Sequence, residues 1–514
     1  MSSTAIDPRL AAIAAVALLA SIVLFRKRRA TPPGPPGLLL LGNIFDLPKK
    51  EPWKVYLQWG KQYNSDILSM KVPGTQFFIM NSAKVIQDLL VKRSGIYSDR
   101  PRSTMLDDLI QTAWLMVFMN NTDKWKEHRR IFRREFDTVE ASAFNKAHEL
   151  QASRRLLRRL LTSSDHEGEL RLAAVDAILS ITYGIIPTNF EHPFIKAPEE
   201  VNAIFADVAR GGYLVDVFPF LKFLPRWFPG VKFHEAADKG RSLAVDLLMG
   251  PYKEIKSQVE NGTAVSSVAS RFLYAVQDGA AISESEIEAM RNVLGNAYLG
   301  GADTSVCALY NFVLAMALHP HIQKKAQKAL DDVLGGQRLP DFTDFGRLPY
   351  LSAIVNEVFR WHPVTPFAVY HVCTQDDVYD GYVIPKGSIM IPNAWAVLQD
   401  ENIFGADTDK FIPERFMNPD GKINPDLSDV ELAFGFGRRA CPGKFMARDT
   451  LWIMAASMLT AYEISEAVDV DGRKLTAESP LEYTNAMVSF APHIKVSFKR
   501  RIPETMIHDG ISND

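Results

Sequence analysis

The sequence predicts a mainly α domain with a small β-rich region, preceded by one N-terminal transmembrane helix. Three observations point there. Apolar residues recur at helical spacing over most of the 514 residues, period-two alternation is confined to short stretches, and 16 residues from Leu10 to Phe25 carry no charge before Arg26-Lys27-Arg28-Arg29. An apolar fraction of 47% is ordinary for a packed globular body.

In chain order, residues 1–30 are expected to be a membrane anchor with a basic stop. Sixteen residues of helix cover about 24 Å, slightly short of the roughly 30 Å hydrocarbon layer. A cleaved secretory signal would carry its basic residues before the apolar run, the reverse of the order here. The basic cluster places the body on the cytoplasmic side, so the expected location is the endoplasmic reticulum membrane, single-pass, with membrane lipid as a partner. Residues 31–37, Thr31-Pro32-Pro33-Gly34-Pro35-Pro36-Gly37, read as a stiff hinge, because proline fixes φ and cannot continue a helix. Residues 38–514 read as a single domain, without repeat or linker. A charge of -2 gives no global attraction for nucleic acid, and none is expected as a partner. The three cysteines, Cys307, Cys373 and Cys441, are too few for a disulfide framework.

Within the body, alternation on either side of Pro73-Gly74 predicts a β-hairpin between Asp66 and Ser82. A further extended piece is expected around Gly381 to Pro392. The clearest helix starts at Ser283, where Ser283 with Glu286 and Ser285 with Glu288 both fit the capping-box spacing, and it ends before Pro320. Gly300-Gly301-Ala302-Asp303-Thr304 lies in its middle. Glycine costs a helix interior roughly 1 kcal/mol against alanine, so glycine there points to a functional demand. From Val217 to Gly230, Phe218, Phe220, Phe223, Trp227 and Phe228 alternate with Pro219, Pro225 and Pro229. Two readings are open: burial in the core, or a loop dipping into the membrane with Lys222 and Arg226 reaching the headgroups.

The most informative stretch is Phe434-Gly435-Phe436-Gly437-Arg438-Arg439-Ala440-Cys441-Pro442-Gly443, followed by an apolar helical pattern. A cysteine at a helix entrance meets unpaired N–H groups and the helix dipole, which favour the thiolate, a metal ligand. Gly437 and Gly443 are expected to let the backbone approach a flat ligand.

This segment matches the haem-binding signature F-x-x-G-x-R-x-C-x-G, and the chain resembles cytochromes P-450 from Pro32 to its C-terminus. Its Asn393-Ala394-Trp395-Ala396 and Pro413-Glu414-Arg415-Phe416 are similar to fungal microsomal members of the O-methylsterigmatocystin oxidoreductase-like group. The resemblance implies a cytochrome P-450 fold binding haem b, with Cys441 as axial thiolate, Phe434 beside it and Arg439 on a propionate. Trp125 and Arg129 match the W-x-x-x-R element that contacts a propionate, and His371 stands where another donor is usual. Glu357 and Arg360 share a helix face and, with Arg415, match a structural Glu-Arg-Arg cluster. Gly300 to Thr304 matches the [AG]-G-x-[DE]-T element. Cleaving dioxygen requires electrons and two protons, so Gly301 is expected to make room and Asp303 with Thr304 to relay protons. Two departures stand out: Gly405 to Lys410 lacks the usual Asp-Pro before Phe411, and Asn120 to Asp123 replaces the commoner Tyr-Gly before Trp125.

The implied activity is a monooxygenase that uses O2 and reductase-supplied electrons to oxidise an apolar small-molecule substrate, in secondary metabolism or xenobiotic oxidation. NADPH-cytochrome P-450 reductase is the implied partner, meeting Lys126, Arg130, Arg133, Arg134, Lys444 and Arg448. The alternatives are a haem-thiolate isomerase or dehydratase, which would not need Asp303 and Thr304, and a non-enzymatic haem carrier or sensor. Residues 114–119, Ala297 and residues 365–369 are expected to line the pocket.

Overall fold

The computed structural model describes residues 31–209, 211–427, 430–467, 483–484, 486–491 and 495–509, so the expected anchor over 1–30 lies outside the described residues. Helices of ten residues or more are numbered in chain order: α1 (Pro52–Tyr63), α2 (Asp123–Phe136), α3 (Val139–Arg159), α4 (His166–Tyr183), α5 (Pro193–Ala209), α6 (Phe233–Glu260), α7 (Val268–Gln277), α8 (Glu284–Leu318), α9 (Pro320–Leu334), α10 (Pro349–Trp361) and α11 (Lys444–Ala461). The strands are β1 (Ile67–Val72), β2 (Thr75–Met80), β3 (His371–Val372), β4 (Asp377–Tyr379), β5 (Tyr382–Ile384), β6 (Ile389–Pro392), β7 (Tyr462–Glu466) and β8 (Val496–Arg500).

The expected hairpin forms as β1 and β2, antiparallel from Ile67↔Met80 to Val72↔Thr75. Its two-residue turn has Gly74 at φ +80, a backbone conformation that glycine adopts freely. The sheet order is β1-β2-β6-β3, with β6 parallel to β2. The extended piece expected near Gly381 to Pro392 is therefore split: β5 pairs with β4, and β6 joins the main sheet.

Of the two capping spacings, the chain uses the first. Ser283 Oγ accepts from the Glu286 N–H, and the Glu286 carboxylate accepts from the Ser283 N–H at 2.8 Å. Glu288 instead pairs with Lys124 of α2 at 2.9 Å. The resulting α8 runs 35 residues without a break at Gly300-Gly301, about 52 Å. Among the described residues it is the helix long and apolar enough to cross a membrane, yet 72% of its most apolar window is buried inside the protein. It packs against α4, α2, α11 and α10, so its apolarity serves the core.

Residues 32–35 do not hang free. Ser69 of β1 donates its N–H to Pro33 O at 2.9 Å and its hydroxyl to Pro32 O at 2.6 Å, and Asn43 donates to Pro35 O. A Cβ at Gly34 would lie 2.0 Å from Ser69 O, so the close approach needs glycine. The aromatics of 217–230 are not in the core: Phe220, Phe223 and Trp227 are 64%, 79% and 80% exposed. Lys222 is tied to Asp108 at 2.7 Å and Arg226 to Asp238 through both carboxylate oxygens. That corrects the expectation that these two cations reach freely to headgroups.

Candidate functional site

Local sequence fixes the floor of the site. Phe434 closes a short 3-10 turn, Gly435 turns the chain at φ +85, and Gly437 at φ +57 opens a second 3-10 turn ending at Arg439. Cys441 follows, its N–H donated to Phe434 O at 2.7 Å, and α11 begins three residues later at Lys444. A Cβ at Gly437 would lie 2.2 Å from Leu90 O. Gly437 thus serves contact with another protein segment, which corrects its expected role toward a flat ligand. Gly435, which sequence reasoning passed over, lines the cavity together with Gly443.

That cavity, about 330 Å³, is lined by Cys441 and Phe434 and by α8 at Gly300, Gly301 and Thr304. Cys441 has accessible surface although protein surrounds it. The surface is internal, facing the cavity. Burial raises the thiol pKa above its ordinary value, against the Gly443 N–H, Arg129 and Lys444, which favour the thiolate. The helix-entrance N–H favours the thiolate as expected, but burial outweighs it; a coordinated cation would add further positive charge.

The donors at the cavity edge are unusual in carrying so little compensation. Arg439 is bonded through Nε to Ser98 O at 2.7 Å and through Nη2 to Met119 O at 2.7 Å. It lies over the Trp125 ring at 4.1 Å, and burial lowers its pKa to about 10. Arg129 stands 5.8 Å from the same ring, and burial lowers its pKa too. Arg100, absent from the sequence reading, lines the cavity as well and bonds Val117 O, Val369 O and Tyr370 O. Burial and then Arg439 push its pKa well down. None of the three guanidiniums has an ion-paired carboxylate among the described residues. Buried cations without partners are costly, and a group with two carboxylates at this edge would supply them. The three arginines and the inward cysteine of this cavity fit a haem.

His371 also lines the cavity, with Nδ1 2.6 Å from Tyr97 O. A carbonyl only accepts, so Nδ1 carries the proton, and Nε2 donates only from an imidazolium. Burial and Arg100 both hold the ring neutral. The expected donation to a propionate therefore needs the anion itself to raise the pKa.

On α8, Thr304 lines the same cavity as Cys441 and donates to Gly300 O. A Cβ on Gly301 would meet Ile178 Cγ1 of α4 at 2.8 Å, whereas one on Gly300 would meet nothing within 4 Å. The room expected at Gly301 is at Gly300, and Gly301 allows α4 to approach. Asp303 is buried at 2% exposure and is not part of the cavity wall. It is paired with Arg171 of α4 at 3.0 Å and accepts from Asn202 Nδ2 of α5 at 2.9 Å. Asn202 does line the cavity. The acid of the expected relay thus reaches the cavity edge through a residue the sequence did not single out.

Behind the floor, Arg360 grips Glu357 through Nε and Nη2 at 2.6 and 2.8 Å, and Arg415 Nε joins at 3.2 Å. The two arginines also hold the carbonyls of Phe404, Asp407, Thr408 and Lys410. That explains why the Gly405 to Lys410 departure is tolerated: the loop is held by its backbone. The other departure is likewise accommodated, Thr122 capping α2 and Asn120 Oδ1 accepting from the Arg100 N–H.

The expected wall residues Leu115, Met116, Val117, Ala297, Thr365 and Val369 line the cavity. Ile178, Ile181, Phe205 and Val488 join them from segments not singled out in the sequence.

The profile of the cytochrome P450 family matches residues 32–484. A cytochrome P450 monooxygenase of Hericium erinaceus, eriA, is 45% identical over 99% of this chain and 96% of its own. The monooxygenase ple1 of Rhodocybe pseudopiperita is 39% identical over 90% and 88%. Tryptamine 4-monooxygenase of Psilocybe cyanescens is 35% identical over 93% and 95%. With this agreement along nearly its full length, and a cysteine-floored cavity that fits haem, the chain belongs to the cytochrome P450 family.

Proposed function

We propose that this haem-thiolate monooxygenase binds haem b on Cys441 and oxidises an apolar organic substrate of fungal secondary metabolism. The observation that carries the reading is the trio Arg100, Arg129 and Arg439, which stands around one edge of the Cys441 cavity without carboxylate partners. Bound haem supplies the oxygen-activating iron chemistry. Cys441 contributes the ligand sulfur, stabilised by the Gly443 N–H and by Arg129. The arginines neutralise the propionates. Thr304 holds a hydroxyl at the cavity face of α8 and passes protons inward. Asp303, held as an acceptor by Arg171 and Asn202, relays protons by taking one up from water for each one it passes on. The apolar wall from α4 and α5 excludes water and orients the substrate. Pyridine haemochrome analysis identifies the haem type, and Cys441→Ala should remove the thiolate-type Soret band of the carbonyl complex. Retention of that band would end the assignment, since Cys307 and Cys373 are buried against the Ser489 and Gln375 carbonyls.

Residues 1–30 are proposed to anchor the protein in the endoplasmic reticulum membrane with the body cytosolic, as the basic stop after Phe25 supports. Two exposed apolar segments support membrane contact by the body as well. Leu39, Leu40 and Phe45 are 101%, 85% and 78% exposed, and the Phe220 to Trp227 loop carries the second patch.

Electrons are proposed to come from NADPH-cytochrome P-450 reductase. Of the six expected docking cations, Lys126, Arg134 and Lys444 are paired with Asp123, Glu135 and Glu431, and Arg448 donates to Asn356. Arg130 and Arg133 are exposed on α2, and so is Arg438 beside the cysteine loop, a residue not singled out from the sequence. These three make the better basic face for an acidic partner.

A further inference from the structure

We propose that Asn202 selects substrates bearing a hydrogen-bond donor, a hydroxyl or an N–H, by presenting a fixed acceptor in a largely apolar wall. The inference rests on the monooxygenase reading above and names the substrate chemistry of that same cavity.

The argument starts from Asp303. Its carboxylate is buried and paired with Arg171 at 3.0 Å, and its second oxygen lies 2.9 Å from the Asn202 side-chain amide. A carboxylate only accepts, so the arm facing it is the NH2. Rotating the amide by half a turn would set oxygen against a buried carboxylate oxygen and leave an acceptor unsatisfied. The backbone carrying Asn202 is held as well: Glu199, one turn earlier on α5, lies 3.4 Å from the same Arg171. The amide is thereby fixed in one sense. Oδ1 is the arm left for the cavity that Asn202 lines, and no group among the described residues donates to it.

The other amide in the wall is not equivalent. Asn296 Oδ1 accepts from the Met116 N–H at 2.8 Å, and its Nδ2 donates to Trp114 O and Asn292 O at 2.9 and 2.7 Å. It is spent on holding the 114–116 segment to α8. Thr304 donates within its own helix. An apolar molecule with one donor gains a partner at Asn202, whereas one with only an acceptor brings two acceptors face to face. The donor-bearing substrate also completes a chain from its own O–H through the Asn202 amide to Asp303, in which each hydrogen bond polarises the next.

The test uses the full chain, loaded with haem, and two probes of one skeleton, cyclododecanol and cyclododecanone, with affinities measured by equilibrium dialysis. The parent protein is expected to prefer the alcohol about fivefold, the range of one neutral hydrogen bond. In Asn202→Leu the ratio should fall to about one. Equal affinities or a ketone preference in the parent overturns the proposal without any variant. So does a ratio that Asn202→Leu leaves unchanged. The carbonyl spectrum of the same preparations reports separately: absence of a thiolate-type band would break the haem reading, whatever the dialysis ratio.

Discussion

The guanidinium of Arg439 sits over the indole of Trp125, its central carbon 4.1 Å from the ring centroid, while Arg129 approaches the same ring at 5.8 Å. One aromatic plane thus holds two cations at the same cavity edge. A desolvated cation–π contact is worth about 2 kcal/mol. Trp125→Leu should therefore weaken haem retention roughly tenfold or more, read as faster transfer of haem to apomyoglobin. Unaltered transfer would show that the backbone carbonyls alone position Arg439.

Arg171 and Thr304 should separate stability from proton delivery. Arg171→Met leaves Asp303 buried without its cation, a loss of about 3 kcal/mol or more, visible in a denaturant midpoint. Thr304→Ala removes an intrahelical hydroxyl bond at a cavity face, so stability should move by under about 1 kcal/mol. Both variants should form less product per NADPH consumed and release more hydrogen peroxide. Full coupling in Thr304→Ala would remove the hydroxyl from the relay.

Glu149 gives a pH dependence of defined sign. It is wholly buried between α3 and α11, accepts from the Thr450 hydroxyl at 2.9 Å, and burial and then Asp449 raise its pKa well above the ordinary value. Thr450 and Lys146 act the other way. The folded state therefore keeps a proton that the unfolded chain releases above about pH 4.5. Since stability falls with pH wherever the folded state binds more protons, this group removes stability as pH rises from there. Glu149→Gln should flatten that slope and be neutral or stabilising at pH 7. A steeper loss with rising pH in the variant, followed by thermal unfolding, would contradict the assignment.

Removal of residues 1–30 should leave measurable binding to lipid vesicles, carried by the exposed aromatics. Changing Phe223 and Trp227 to Ser should then reduce it by about tenfold or more, as expected for withdrawing two large apolar side chains from the interface. Vesicle flotation unaffected by the double change would remove this loop from the contact.

What could be read from the sequence was local. The Ser283–Glu286 capping box, the Pro73-Gly74 hairpin and the Cys441 segment depend on residues a few positions apart. Arg100 could not be found that way. It shares Asp99-Arg100-Pro101-Arg102 with a second arginine that goes outward to Asp108, and only tertiary structure separates the two. Gly301 and Gly437 were read with the wrong neighbour, because whether a missing Cβ faces ligand or protein depends on Ile178 and Leu90, which are remote in sequence. The role of Asn202 follows from α5 crossing near α8, and nothing in its own helix announces it.

The strap from Pro32 to Pro35, bonded to Ser69 and Asn43, has a mechanical consequence. A chain leaving the body at a point fixed on β1 cannot act as a swivel, so a preceding segment held in a bilayer would fix the body's tilt and height. Lipid-dissolved compounds would then meet the protein by two-dimensional diffusion toward one constant face. The capture rate would scale with their partitioning into lipid, and only weakly with their concentration in water.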